Sequence, residues 1–142
     1  MKSSKGFTLI ELLIVVAIIA LIATLAMPNI REAMQKGKQT ATIADMKTIG
    51  EAIIQYDLEY DTYPKASATS LEVLRPLLEP RYLTELKAKD RWRHDFVYEG
   101  GVDAFTLLSY GKDGIPNGPL QGIITDFNHD IRYVSGRFKT KP

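Results

Sequence analysis

The chain has 142 residues, with 18 Lys and Arg against 17 Asp and Glu, a formal net charge of +1. That near-neutral balance supplies no basic field for nucleic acid, and two histidines are too few for an obvious zinc site. Cysteine is absent, so the disulfides that often hold small exported domains together are not available to this chain, and a metal is the usual substitute.

Met1 to Gly6 carry Lys2 and Lys5, and from Phe7 to Ala26 the only charge is Glu11. As a helix this segment is about 30 Å long, enough to cross a hydrocarbon core. A secretory signal with a cleavage site after its apolar region is a poor fit, because the run is too long and no small-x-small site precedes Pro28. A buried core helix is excluded by the uniform apolarity. A plain anchor fits, with the lysines holding the leader in the cytoplasm, but it has no need of an acid. A carboxylate inside a bilayer is costly, so Glu11 is expected to meet a partner, and the partner expected is another copy of this chain.

From Asn29 to about Tyr60 the pattern turns amphipathic. Ile43, Met46, Ile49, Ile53, Tyr56 and Tyr60 recur at three- and four-residue spacing, with Lys47, Glu51, Gln55 and Asp57 between them. The spanning helix is thus predicted to continue outward and lay one face on a globular head. Pro28 removes a backbone donor and is expected to kink or loosen it. Arg31 to Thr42 is polar and Ala-rich, with Gly37 as a weak point, and is a stretch for touching neighbours or melting. Pro64 disfavours helix at Tyr63 and closes the element. Thr69-Ser70-Leu71-Glu72 reads as a capping box before a short second helix carrying Leu71, Val73, Leu74, Leu77 and Leu78, limited by Pro76 and Pro80. Arg81 to Lys89 reads as an ordered crossing loop anchored by Tyr82, Leu83 and Leu86.

The last third changes period. Asp95 to Glu99 and Asp103 to Ser109 flank Gly100-Gly101-Val102 as a hairpin. A third strand is expected at Asp130 to Val134, with a final pairing around Arg137-Phe138. Trp92, the only tryptophan, is expected to plug the head between helix and sheet, with a place at a subunit interface as the alternative.

Between Tyr110 and Asp130 lies a long Gly-containing loop. Asp126, Asn128 and Asp130 stand at every second residue, with Asp113 at the other end. A hard cation such as Ca²⁺ takes about six to eight oxygens, and alternation in an extended loop aims such side chains one way. The backbone carbonyls of Tyr110 and Ile115 complete the shell in this reading. The central Gly and distal Glu of an EF-hand are missing. The competing reading makes Asp113-Gly114 and Asp126 to Asp130 plain Asx turns without metal. No catalytic constellation is present: there is no phosphate loop and no nucleophile elbow, and nothing around Ser109, His94 and His129 supports a dyad.

Two resemblances join these readings. Lys5-Gly6-Phe7-Thr8-Leu9-Ile10-Glu11 resembles the class III leader of type IV pilins and type II secretion pseudopilins. The resemblance implies peptidase cleavage between Gly6 and Phe7, N-methylation of Phe7, and pairing of Glu11 with the Phe7 amine of a neighbouring subunit. Such a pair costs less than either charge alone in low dielectric and selects a filament register. Tyr60 to Pro64, Asp90-Arg91-Trp92 and Ser109 to Pro116 resemble the G-type pseudopilins of type II secretion, which implies a calcium-binding loop between two strands. His129 and Asp130 stand where two adjacent acids are usual there, with Asp126 or Asn128 as the replacement ligand.

The implied fold is α+β and type IV pilin-like, a long N-terminal helix packed on a small C-terminal antiparallel sheet. Residues 1–6 are then a cleaved leader, 7–27 a transmembrane and filament-core helix, and 28–142 a periplasmic head that includes the outer half of the long helix. The implied function is structural, not enzymatic: a subunit of a periplasmic filament that promotes protein export. Its partners would be further copies of itself, minor pseudopilins, the inner-membrane assembly platform, a prepilin peptidase and methylase, and the lipid bilayer, with no nucleic acid. A single pass through the inner membrane would leave the N-terminus cytoplasmic. A type IV pilin of a surface pilus is the alternative, disfavoured by the lack of a C-terminal Cys pair. From another class comes a monomeric, membrane-tethered calcium-binding module.

Overall fold

A computed structural model describes residues 6–117, 126–135 and 137–138. The first element is one helix, α1 (Leu9–Tyr60), with Pro28 inside it. Helix geometry continues on both sides of Pro28, because proline's φ is compatible with a helix and only one backbone donor is lost. The chain divides into two compact units, one ending at Gln35 and one beginning at Lys36.

In the first unit α1 exposes apolar side chains on all sides, Leu12, Leu13, Val16, Ile19 and Ile22 among them. Among the described residues α1 is the one helix long and apolar enough, by length and composition, to cross a membrane. The hydroxyl of Thr24 donates to the Ala20 carbonyl at 2.9 Å. That bond satisfies a polar group which hydrocarbon would leave without a partner.

The second unit is the head. After α1 come β1 (Ala66–Ser70), a 3-10 turn (Leu71–Leu74), α2 (Arg75–Leu78), β2 (Val97–Gly100), β3 (Phe105–Ser109), β4 (Ile131–Val134) and β5 (Arg137–Phe138). The strands form one antiparallel sheet in sequence order. Tyr98 stands opposite Leu107, and Leu107 opposite Tyr133, so these three make one buried row facing α1. The adjacent residues Val97, Leu108 and Arg132 form the outward row, as a period of two demands. Met46, Ile49 and Ile53 of α1 close on this row with Phe96, Phe105 and Ile131. Tyr98 is fully buried and its hydroxyl donates to the Pro64 carbonyl at 2.8 Å. Burial pushes the Tyr98 phenol well above the ordinary tyrosine range.

Several expectations need correction. β1 occupies a stretch expected to be loop and helix cap. Thr69 and Ser70 end that strand, and the cap is Ser70 Oγ accepting from the Glu72 amide at 3.4 Å. The second helix is only the 3-10 turn and four-residue α2, with Leu71, Leu74 and Leu78 buried and Val73 and Leu77 exposed. The buried stripe of α1 ends before Tyr60, which is 50% exposed at the last residue of the helix and keeps a stack on Tyr56 with ring centroids 4.5 Å apart. Trp92 is half-buried and outside the core cluster, whose aromatic volume comes from Phe96, Tyr98, Phe105 and Tyr133. The crossing segment is as expected: Leu86 is buried, and Tyr82 and Leu83 pack on the core.

Candidate functional site

The N-terminal site is built by Thr8 and Glu11. The Thr8 backbone amide donates to Glu11 Oε2 at 2.8 Å and its hydroxyl donates to the same oxygen at 2.7 Å. In return the Glu11 amide donates to Thr8 Oγ1 at 3.3 Å. This is a reciprocal capping box that satisfies orphan donors at the first turn of α1. The carboxylate placed in the apolar segment is therefore held by its own helix start, with both of its bonds falling on Oε2. The leader motif assigns Thr8 no role, although Thr-x-x-Glu is itself the capping signature. Gly6 and Phe7 precede α1 and are exposed.

The second site is the loop after β3. A buried carboxylate supports it from below. Asp90 Oδ1 accepts from the amides of Trp92 and His94, each at 2.9 Å, and Oδ2 accepts from Ser109 Oγ at 2.8 Å. The Gly111 amide donates to that same Ser109 hydroxyl at 3.3 Å, and His94 Nδ1 donates to the Gly111 carbonyl at 2.8 Å. Ser109 Oγ and His94 Nδ1 thus tie Asp90 to Gly111 at the base of the loop. Gly111 has φ +67, and a Cβ there would stand 2.7 Å from the His129 carbonyl oxygen and 2.8 Å from that of Phe127. Only glycine lets residues 111–117 lie this close to residues 126–130. The Lys112 amide donates to the Phe127 carbonyl at 2.8 Å and bolts the two segments together.

On this base, three of the expected ligands converge on a residue the sequence did not single out. Asn117 Nδ2 donates to Asp113 Oδ2 at 3.0 Å and to the Asn128 carbonyl at 3.2 Å. The Asn117 amide donates to Asp130 Oδ2 at 3.1 Å. Asn128 therefore brings its backbone oxygen to the group. Asp126 is spent elsewhere: Oδ1 accepts from the Asn128 amide at 3.0 Å and Oδ2 lies 3.2 Å from His129 Nδ1. Asp113 Oδ1 accepts from the Ile115 amide at 3.0 Å, so both Asx turns of the competing reading are present as hydrogen bonds. For the carbonyls of Tyr110 and Ile115 no contact with this group is described. Among the described residues no three His, Cys, Asp or Glu side chains gather to hold an ion by themselves. What gathers is two carboxylates and a carbonyl, an oxygen-only set that suits a hard cation and not zinc. The donor chemistry fits calcium.

A membrane-length apolar helix that begins in a capped glutamate and runs into an α+β head with a clasped loop defines a pilin-like, membrane-anchored subunit. Residues 1–27 match the prokaryotic N-terminal methylation motif, and residues 29–127 match the family described as type II secretion system (T2SS), protein G. The chain belongs to that protein G family. It is similar to the type II secretion system core protein G of Vibrio cholerae serotype O1, with 30% identity over 80% of this chain and 86% of the relative. The Escherichia coli K12 protein of the same name is 33% identical over 78% of this chain and 83% of the relative. The Pseudomonas aeruginosa protein is 32% identical over 82% and 89%. No solved structure matches.

Proposed function

We propose that the chain is the major structural subunit of a type II secretion pseudopilus, a periplasmic filament that promotes protein export. The observation that carries this is the pairing, in one chain, of a methylation-type leader and apolar helix with a protein G head. A surface-pilus pilin and a monomeric tethered module both lose ground to that pairing. In this reading a prepilin peptidase cuts between Gly6 and Phe7, and Phe7 is methylated. The new ammonium of Phe7 then meets Glu11 of a neighbour, taking up the carboxylate that Thr8 holds in the single chain. The head stands outside the inner membrane, and minor pseudopilins and an assembly platform are the remaining partners. The role is structural and uses no catalytic residue.

Calcium belongs to the same proposal. Asp113, Asp130 and the Asn128 carbonyl would hold it, with the Tyr110 and Ile115 carbonyls and Asp126 as further oxygens. When bound, the ion supplies a cross-link between the two ends of the loop, where a disulfide-free head has no covalent one. The test of the function is deletion of the gene in its own host. Loss of export with loss of filaments, both restored by the wild-type gene, is expected, and assembled subunits should begin at methylated Phe7 by intact mass. Normal export in the deletion strain would overturn the reading.

A further inference from the structure

The three oxygens gathered after β3 have one partner in common. The Asn117 Nδ2 group bridges Asp113 Oδ2 and the Asn128 carbonyl, at 3.0 and 3.2 Å, and the Asn117 backbone amide donates to Asp130 Oδ2 at 3.1 Å. Because residue 113 and residues 128–130 come from opposite ends of the loop, this bridge closes it. Two carboxylates and a carbonyl dipole aimed at one place repel each other. A donor set among them relieves that repulsion, and a side-chain NH2 carries two protons for two acceptors.

The same planar amide ends, on its other side, in an acceptor, Oδ1. Asn117 is exposed, and the torsion that turns its amide is broad and roughly two-fold. Half a turn therefore brings Oδ1 close to where Nδ2 stands, with no packed neighbour to displace. An oxygen there faces Asp113 Oδ2 and the Asn128 carbonyl unfavourably unless a cation joins them. With calcium about 2.4 Å from each ligand, neighbouring oxygens about 3 Å apart are ordinary. The rest of the group holds still during such a turn. Asp130 is 2% exposed and bonded to the Asn117 backbone, and Asp113 Oδ1 is fixed by the Ile115 amide at 3.0 Å.

We propose that Asn117 is a two-position clasp for this loop. As a donor through Nδ2 it closes the loop when no cation is bound, and as an acceptor through Oδ1 it becomes a ligand when calcium enters. The inference rests on the calcium reading above and adds to it a ligand and a means of staying closed without the ion. Calcium then exchanges against an internal donor and must offset the two side-chain hydrogen bonds that are given up.

The full chain in detergent, as wild type, Asn117→Asp and Asn117→Ala, is melted in EDTA and in saturating calcium. Aspartate keeps the size of asparagine but has no donor. Asn117→Asp should therefore lose several degrees in EDTA, equal or exceed the wild type in calcium, and bind calcium about tenfold more tightly by calorimetry. Asn117→Ala should melt lower in both conditions. Terbium in place of calcium counts ligands directly, because its luminescence lifetimes in light and heavy water report the coordinated waters. Asn117→Ala should hold one more water than the wild type. Where calcium stabilises the wild type, three results would each overturn the clasp and leave the calcium reading standing: Asn117→Asp melting lower in both conditions, all three chains melting alike in EDTA, or equal water counts. No calcium shift in the wild-type chain would strike the calcium reading itself, and the clasp with it.

Discussion

Gly50 of α1 lies against the ring of Tyr133 on β4: a Cβ at Gly50 would stand 2.1 Å from the ring's Cε1. The helix backbone and the aromatic ring are in direct contact, and this sets the spacing between α1 and the sheet in the head. Alanine is the better helix former by about 1 kcal/mol, yet overpacking costs about 1–3 kcal/mol. Tyr133 is 3% exposed and has nowhere to swing. Gly50→Ala is therefore expected to lower head stability by about 1–2 kcal/mol, several degrees in Tm. An unchanged or higher Tm by circular dichroism would show that the sheet yields.

Asp90 is the next most sensitive position. Its carboxylate takes two amide bonds and the Ser109 hydroxyl with no side-chain exposure. Asp90→Ala leaves three donors without their acceptor, one of them fully buried, and should cost about 3 kcal/mol, measured by urea unfolding. Asp90→Asn keeps one acceptor oxygen and should cost less. Equal losses for both would contradict the hydrogen-bond account.

Alkaline pH should weaken the head. Burial raises the phenols of Tyr98 and Tyr133 above their ordinary value of 10.0. Below 10.0 both folded and unfolded chains keep these protons and stability is full. Above it the unfolded chain loses protons that the folded chain retains, so stability falls as pH rises toward the folded values. Tyr98→Phe should flatten this decline while lowering stability near neutrality through loss of the bond to the Pro64 carbonyl. A Tm independent of pH between about 9 and 11 would refute the assignment.

Calcium should stabilise the head of the full chain in detergent. At free calcium about 100 times Kd the gain is about 2.7 kcal/mol, and EDTA should reverse it. Asp113→Ala and Asp130→Ala should abolish the shift, whereas Asp126→Ala should leave most of it, because Asp126 is turned to His129 and its own Asx turn. No shift in the wild-type chain would leave the loop as hydrogen-bonded turns.

Glu11→Ala is expected to preserve membrane insertion and reduce filament yield at least tenfold. Thr8→Ala separates two roles of the carboxylate, since it opens the capping box without removing the charge. If the box serves only the helix start, Thr8→Ala assembles normally. Normal assembly of Glu11→Ala would remove the pairing from the proposal.

The long helix, the hairpin, the third strand and the oxygen-rich loop are all legible in the sequence, because periodicity and turn residues are local properties. Local signatures also misled. Thr69-x-x-Glu72 and Thr8-x-x-Glu11 look alike as capping boxes, and only the second is one. Residues 66–70 instead find a strand partner in β2, about thirty residues away in sequence. Sheet pairing there is decided by a distant edge and not by the segment's own composition.

The sequence alone determined the apolar segment, its lone acid, the methylation motif and the family, since each depends on residue type and spacing along the chain. The tertiary structure alone decided which oxygens meet. Asn117 gathers Asp113, Asp130 and the Asn128 carbonyl, while Asp126 turns away although its spacing matched that of its neighbours. Alternation aims side chains only while the backbone stays extended, and here the turn at 127–129 breaks it. Which groups converge is set by Gly111 and the Asp90 support beneath the loop, contacts between segments that no local pattern records.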